Sequence, residues 1–386
     1  MLFSSEVTAD SFCHEVKKDN KDFLICDHVT PKNIFNGSKT IERYKYVKIS
    51  NSSIIHIQLF RFKNIVFLQI INSLLEKIPY GGFSSSPNLE ELHLELNEIE
   101  VIPYGAFPNF IETQSSTKQN YNTGTASKLK VLDLSSNSIH LIEDKSLTTE
   151  SLRKLNLQRN RIKHIDGKFR YLTGLEELQL DGNRLTNLRR GSFGNLHSLR
   201  RLSLSDNPIK YISYNSFYAL DLLSLLNLDE TRITSVNWAL RRPNSLALRR
   251  LEYLQLASTE LTGMPEEFFT ALPNLKRVHL ENNRWTCYEN LRFLQTAILR
   301  NSSLFENVED ITCWSPADFQ GELVRDYKNW SQPTFATPEV TFTPPKIRPN
   351  VFTIGAAMCV GSIFLISGMI IDLVVFGGYQ RRVRKQ

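Results

Sequence analysis

The chain holds little cysteine, 5 in 386 residues, too few for a small disulfide-stapled scaffold. Glycine (17) and proline (15) are too sparse for a collagen-like or low-complexity chain. Neither sign of charge dominates: 46 Lys+Arg against 40 Asp+Glu leaves +6. That excludes a strongly acidic tail protein and does not by itself indicate nucleic acid. Catalytic signatures are missing as well. There is no G-x-S-x-G, H-E-x-x-H, P-loop or G-x-G-x-x-G. The eight histidines are scattered, with His93 and His279 on expected strands far apart. The expectation is a non-enzyme without cofactor. With 41% apolar and 22% charged residues the chain is an ordered one.

Long apolar runs are also scarce, and one stands out. Val351 to Ile371, VFTIGAAMCVGSIFLISGMII, carries no charge. At ~1.5 Å per residue it reaches across the ~30 Å core of a bilayer. A transmembrane helix is expected over 351–376, since lipid offers the backbone no partner. Arg381, Arg382, Arg384 and Lys385 follow it, against Lys346 and Arg348 before it. The positive-inside rule then puts a short basic tail, 377–386, in the cytosol and the rest outside a plasma membrane. The opening MLFSSEVTADSF has no basic segment followed by an apolar one. Two readings stay open: a missing leader, or a tail-anchored chain with its bulk in the cytosol. Four glycosylation sequons, at Asn36, Asn51, Asn301 and Asn329, favour the outside.

Between Tyr44 and Trp285 one pattern recurs about every 23 to 24 residues: L-x-x-L-x-L-x-x-N-x-L. Clear copies start at Leu89, Leu129, Leu152, Leu175, Leu199 and Leu275; weaker ones start at Tyr44, Ile65, Leu223 and Leu251. The x-L-x-L-x segment alternates with period two, so it is a short strand with one buried face. One repeat cannot bury its leucines alone, and stacking supplies a continuous core. Asn97, Asn137, Asn160, Asn183, Asn207 and Asn283 hold the Asn position. A side-chain amide both donates and accepts, so these residues are expected to satisfy backbone groups where each strand turns away. Ser52, Ser73, Thr231 and Thr259 replace them elsewhere, where looser turns are expected. Phe83, Phe107, Phe169, Phe193, Phe217 and Phe268 read as ordinary core aromatics. The step from Leu89 to Leu129 is 40 residues, so a polar, disordered insertion is expected near 108–128.

In period and signature the chain resembles the extracellular leucine-rich-repeat family. The resemblance implies an α/β fold: a solenoid with a curved parallel sheet on its concave face and an irregular, short-helical convex side. It also implies sealed ends, an N-terminal cap over 1–43 and a C-terminal cap over 286–325 around repeats 44–285. Cys13 and Cys26 precede the repeats, and Cys287 and Cys313 follow them. The C-terminal cap departs from the family's C-x-C pattern, since Tyr288 and Glu289 follow Cys287. The caps resemble cysteine-containing family caps and lie far apart, so Cys13–Cys26 and Cys287–Cys313 pairs are expected. Zinc is the competing reading, though no C-x-x-C or paired-histidine spacing supports it. A Pro/Thr-rich stalk is expected over 326–350.

Family members of this layout are adhesion molecules, recognition receptors or co-receptors, and the strand residues that point away from the core are the expected binding surface. By register these include Glu91, His93, Glu95, Asp133, Lys154, Gln158, Glu177, Gln179, Asp181, Arg201, Asp229, Tyr253 and Arg277, with Tyr46, Lys48, Ser50, Phe67, Gln69 and Ile71 on the earlier strands. The mixed charge suits an extracellular protein ligand or co-receptor, with no nucleic acid and with membrane lipid touching the single span. Arg189-Arg190, Arg200-Arg201, Arg241-Arg242 and Arg249-Arg250 raise a sulfated glycan as a second ligand, although the pairs fall at unlike repeat positions. An alternative role is an accessory subunit assembling through the span, where Asp372 and the small residues Ala357, Gly361 and Gly368 would meet another helix.

Overall fold

The computed structural model describes residues 13–30, 43–55, 64–83, 86–107, 128–239 and 248–328. The chain divides into two units, Met1–Gln332 and Pro333–Gln386, and the described residues all belong to the first. The leader question, the insertion at 108–127, the stalk beyond Lys328, the 351–376 span, the tail, Asn36, Asn329 and Asp372 lie outside the described residues. Among the described residues no helix is long and apolar enough to cross a membrane.

A sheet of thirteen strands organises the first unit. The ten repeats supply β3 (Tyr46–Ser50), β4 (Phe67–Ile71), β5 (Glu91–His93), β6 (Val131–Asp133), β7 (Lys154–Asn156), β8 (Glu177–Gln179), β9 (Arg201–Ser203), β10 (Leu225–Asn227), β11 (Tyr253–Gln255) and β12 (Arg277–His279). Each pairs in parallel with the next, one repeat apart, so like positions meet: Glu177 with Arg201, Leu178 with Leu202, Gln179 with Ser203. The central residue of each three-residue strand is buried and its neighbours face out. Leu92, Leu132, Leu155, Leu178, Leu202, Leu226 and Leu254 thus form one column with exposures of 1% or less. Burial of each such side chain contributes about 1.5–3 kcal/mol.

The asparagines join one repeat to the next. Asn183 donates to Leu180 O (2.9 Å) within its own repeat and to Leu157 O (2.8 Å) in the preceding one. Its Oδ1 accepts from Ile162 N at 3.0 Å. Asn97, Asn160, Asn207 and Asn283 repeat this geometry. At the substituted positions the hydroxyl donates within its own repeat, Ser73 to Ile71 O (2.8 Å) and Thr231 to Leu228 O (2.8 Å), and Thr259 also donates forward to Asn283 Oδ1, but none donates to the preceding repeat as the asparagines do. A hydroxyl has one proton and a short reach, so the backward bond to the preceding strand is lost while the parallel register continues. The residue before each of the ten ladder positions is left-handed, Asn51, Asn72, Leu96, Ser136, Arg159, Gly182, Asp206, Glu230, Ser258 and Asn282, as is His28 before Val29, which takes the equivalent place ahead of the first repeat.

The sheet runs beyond the repeats at both ends, by two strands before them and one after. Lys21–Asp27 (β2) pairs in parallel with β3, and Cys13–Lys18 (β1) folds back on it antiparallel. The turn uses Asp19 and Asn20, both at positive φ, which suits a two-residue hairpin. Cys13 lies opposite Cys26 and is disulfide-bonded to it. At the other end Phe305–Glu306 (β13) joins β12. Cys287 is bonded to Cys313, and Trp285, fully buried, donates Nε1 to Leu280 O at 3.2 Å. The helix Arg292–Arg300 buries Leu294 and Ile298 under this end. Gln295 ties it to the carbonyls of Arg325 and Tyr327, at 2.9 and 2.6 Å.

The opposite side is made of turns, short helices and two-residue strands, Val101–Ile102 beside Leu141–Ile142 and Asn187–Leu188 beside Tyr211–Ile212. Phe83 stacks on Phe107 and Phe193 on Phe217, each at 5.8 Å, and Trp238 meets Phe217 edge-on. These rings are core, as read from the sequence.

The open strand face as a candidate binding surface

Every residue of the expected surface occupies an outward position of the sheet, in three rows. Glu91, Lys154, Glu177, Arg201, Tyr253 and Arg277 share one row by strand register. His93, Asp133 and Gln179 share the next, together with Asn156, Ser203, Asn227, Gln255 and His279. Glu95, Gln158, Asp181 and Asp229 follow just past the strands, on the stretch whose next residue bonds to the neighbouring repeat.

The rows differ in what they leave free. In the first, Glu177 is shared between Arg201 (3.0 Å) and Lys154 (3.5 Å), while both cations stay more than half exposed. These are weak surface pairs that a partner can displace. The second and third rows spend part of their polarity on the turns. Asp133 accepts from Asn156 (3.0 Å) and from Ser135 N (2.9 Å). Asp181 accepts from Ser203 and from both the backbone and hydroxyl of Ser205. Asp229 accepts from Ala257 N at 2.7 Å. Burial pushes the Asp229 carboxyl up to about 6, helped by Glu281 and Glu230 and opposed by the Ala257 N–H and by His279. These three aspartates brace adjacent repeats as well as facing outward.

His93 and His279 do not meet, being on β5 and β12. His93 packs on the Phe67 ring at 5.1 Å, and His279 contacts Glu306 at 3.0 Å. Arg277 also rests on Glu306 and holds its carboxyl below the usual range. Glu306, with Lys21 and Phe23 on β2, belongs to the surface and was not among the sequence-read residues. The signal for β2 is the alternation Phe23, Leu24, Ile25, Cys26, which a ladder pattern built on leucine does not register.

No group of His, Cys, Asp and Glu suited to a metal ion occurs among the described residues. The zinc reading of the cysteines fails, because all four are disulfide-bonded. The arginine pairs do not form a stripe. Arg201 is on the open face against Glu177, while Arg189 and Arg190 follow Asn187–Leu188 on the far side, with Arg189 near Asp166 at 3.8 Å. Arg241 and Arg242 lie outside the described residues.

The chain resembles several curated proteins and solved structures. It is 28% identical to mouse (Mus musculus) vasorin over 171 residues, 43% of this chain and 24% of vasorin. It is 28% identical to mouse podocan over 249 residues, 62% of this chain and 40% of podocan. The chain therefore spans less than half the length of these relatives. The crystal structure of the mouse RP105/MD-1 complex matches with a TM-score of 0.56 and 21% identity, covering 79% of this chain and 53% of that one, a likeness of fold. A BspA-type leucine-rich-repeat region model matches residues 29–125, and a leucine-rich-repeat model matches 127–185 and 173–233. Together these matches cover more than half of the chain, which belongs to the leucine-rich-repeat family.

Proposed function

We propose that the chain is a cell-surface recognition protein that binds a protein partner through its open strand face and holds that face outside the cell on the apolar segment 351–376. The observation that carries the reading is the face itself. The outward positions of ten consecutive repeats lie in unbroken parallel register, uncovered by any other described element. A flat array of paired charges, amides and a few aromatics is a docking surface for another protein. Support comes from the resemblance of fold to a protein solved in complex with MD-1.

Proximity labelling on cells expressing the full chain tests it. The comparison is a variant with Lys154→Glu, Arg201→Glu and Tyr253→Ala, exposed first-row positions that brace no turn. A partner labelled by the wild type and lost in the variant supports the reading; identical label sets for both overturn it. Endoglycosidase digestion of the same cells tests the topology. A mobility shift that Asn301→Gln makes smaller is expected, because Asn301 is exposed and its amide oxygen already accepts from Ser303, the hydroxyl of its own sequon, at 2.8 Å.

A further inference from the structure

Four lysines and arginines stand at the outward positions of β3–β12: Lys48, Lys154, Arg201 and Arg277. Three rest on carboxylates, Lys154 and Arg201 on Glu177 and Arg277 on Glu306. Lys48 does not. Its ammonium lies 5.3 Å from the Phe23 ring centre and 5.7 Å from that of Phe67. On the adjoining strand Lys21 sits 4.9 Å from the Tyr46 ring. Neither lysine pairs with a carboxylate among the described residues.

The rings beneath them form one floor. Phe23, Tyr46 and Phe67 stand directly opposite one another on β2, β3 and β4. Phe23 is 5.2 Å from Tyr46 and 6.0 Å from Phe67, and His93, from the adjacent row, packs 5.1 Å from Phe67. All three rings face out and are half-buried, on the side away from the leucine core. An aromatic face attracts an ammonium through its quadrupole without cancelling the charge. Two positive charges are thus held over an apolar floor with no anion supplied. Of the carboxylates on this part of the face, Asp27 is committed to Ser50 and Asn51, Glu95 to Gln69, and Glu91, opposite Phe67, lies 3.7 Å from His93. At the far end of the face the sign reverses: Asp229, Glu281 and Glu306 outnumber Arg277.

We infer that the outward face of β2–β4 binds an acidic segment of a protein partner, with its carboxylates over Lys21 and Lys48 and its apolar side chains on Phe23, Tyr46 and Phe67. The inference rests on the proposed role of the strand face and assigns one end of that face a chemistry. The polarity of the face also fixes which way the partner lies, its acidic part at the N-terminal end of the sheet.

Two short fluorescent peptides of equal length test it on the purified full chain, one alternating Glu with Phe and Leu, the other with Lys in place of each Glu. The acidic peptide should bind, and the basic one should not. Lys21→Glu with Lys48→Glu should weaken binding at least about tenfold, whereas Arg189→Glu with Arg190→Glu, on the far side of the repeats, should leave it unchanged. Lys48→Met keeps the contact with the rings and removes the charge, so a folded Lys48→Met protein that binds less separates charge from unfolding. The inference is overturned if the acidic peptide fails to bind wild type, if it binds the double lysine variant equally, or if the basic peptide binds as well. It also falls if a heparin oligosaccharide depends on these lysines while the peptide does not, since the occupant is then a polyanion. The cell-labelling comparison scores independently: partner capture that needs Lys154, Arg201 and Tyr253 while the peptide fails removes this inference and leaves the broader role standing.

Discussion

Asn137 donates its side-chain amide to the carbonyl of Leu94, 43 residues earlier, at 2.9 Å, and accepts from Ile99 N at 3.1 Å. Elsewhere in the ladder the same donation spans 26 or 27 residues. The long insertion therefore leaves the joint between repeats intact: Leu92 stays opposite Leu132, and Ile102 opposite Ile142.

The ladder bond at Asn137 is the first thing to remove. Asn137→Ala strips the joint of its donor and acceptor and leaves buried carbonyls at Leu94 and Leu134 unmet. Loss of about 2–4 kcal/mol is expected in urea unfolding. Asn137→Ser should lose roughly half as much, since serine can still satisfy its own turn as Ser73 does. Faster hydrogen exchange at the Ile99 amide, whose acceptor is gone in both, would tie the loss to the joint.

The insertion itself should be dispensable. Phe107 and Leu129 are 22 positions apart, whereas Phe83 and Leu89 are 6 apart, a difference of 16 residues. Deleting residues 109–124 restores the ordinary spacing while keeping Phe107 and Lys128. Loop closure changes slowly with length, about 0.6 kcal/mol per doubling. The deletion should therefore unfold in one transition within about 1 kcal/mol of wild type; a collapse of the sheet between β5 and β6 would show that the insertion helps to fasten them.

Leu96 occupies the left-handed position before Asn97, with φ 56° and a side chain 52% exposed. A β-carbon in this region costs roughly 1–2 kcal/mol, and Leu96 buries little to offset it. Leu96→Gly should raise the melting temperature. Gly182, already glycine at the equivalent site, is the matched reverse: Gly182→Ala should lower it by a comparable free energy.

These positions also show where the sequence is legible. The strands, their register and the asparagine joints follow from leucine periodicity, because burial and hydrogen-bond valence demand particular side chains there. The left-handed residues do not: the eleven sites carry His, Asn, Leu, Ser, Arg, Gly, Asp and Glu, with glycine at one of them. The ladder bonds across the repeat impose that conformation, so its cause is tertiary and leaves no local mark. The strands flanking the repeats, β2 and β13, were hidden for a related reason. Cys26 replaces a leucine in β2 and Val29 stands where an asparagine would, while the two-residue β13 carries Phe305 alone into the core. Each seals an end and so has a neighbour on one side that is not a repeat. Phe23 and Lys21, the β2 part of the outward aromatic floor, were missed with β2, while Tyr46, Lys48 and Phe67 were read from the repeat register.

Asp229 makes stability depend on pH in a direction opposite to most carboxylates. Its folded pKa is raised from 3.8 to about 6, so between those values the folded chain holds a proton that the unfolded chain has released. Stability from this group is therefore greatest below pH 4 and falls as pH rises through 6. The shift corresponds to at most about 3 kcal/mol, and partial solvent exposure reduces it. Asp229→Asn keeps an oxygen for the Ala257 N–H and removes the charge that burial opposes. At pH 7 the variant should be more stable by about 1 kcal/mol, and the gain should vanish by pH 4. Asp27 and Glu306, whose carboxyls are held low by their hydrogen bonds, pull the other way and weaken the fold as acid rises in both proteins. The difference between wild type and variant cancels them. A gain that stays constant from pH 4 to pH 7 would mean that Asp229 ionises normally and that its outward carboxylate is solvated rather than pressed between repeats.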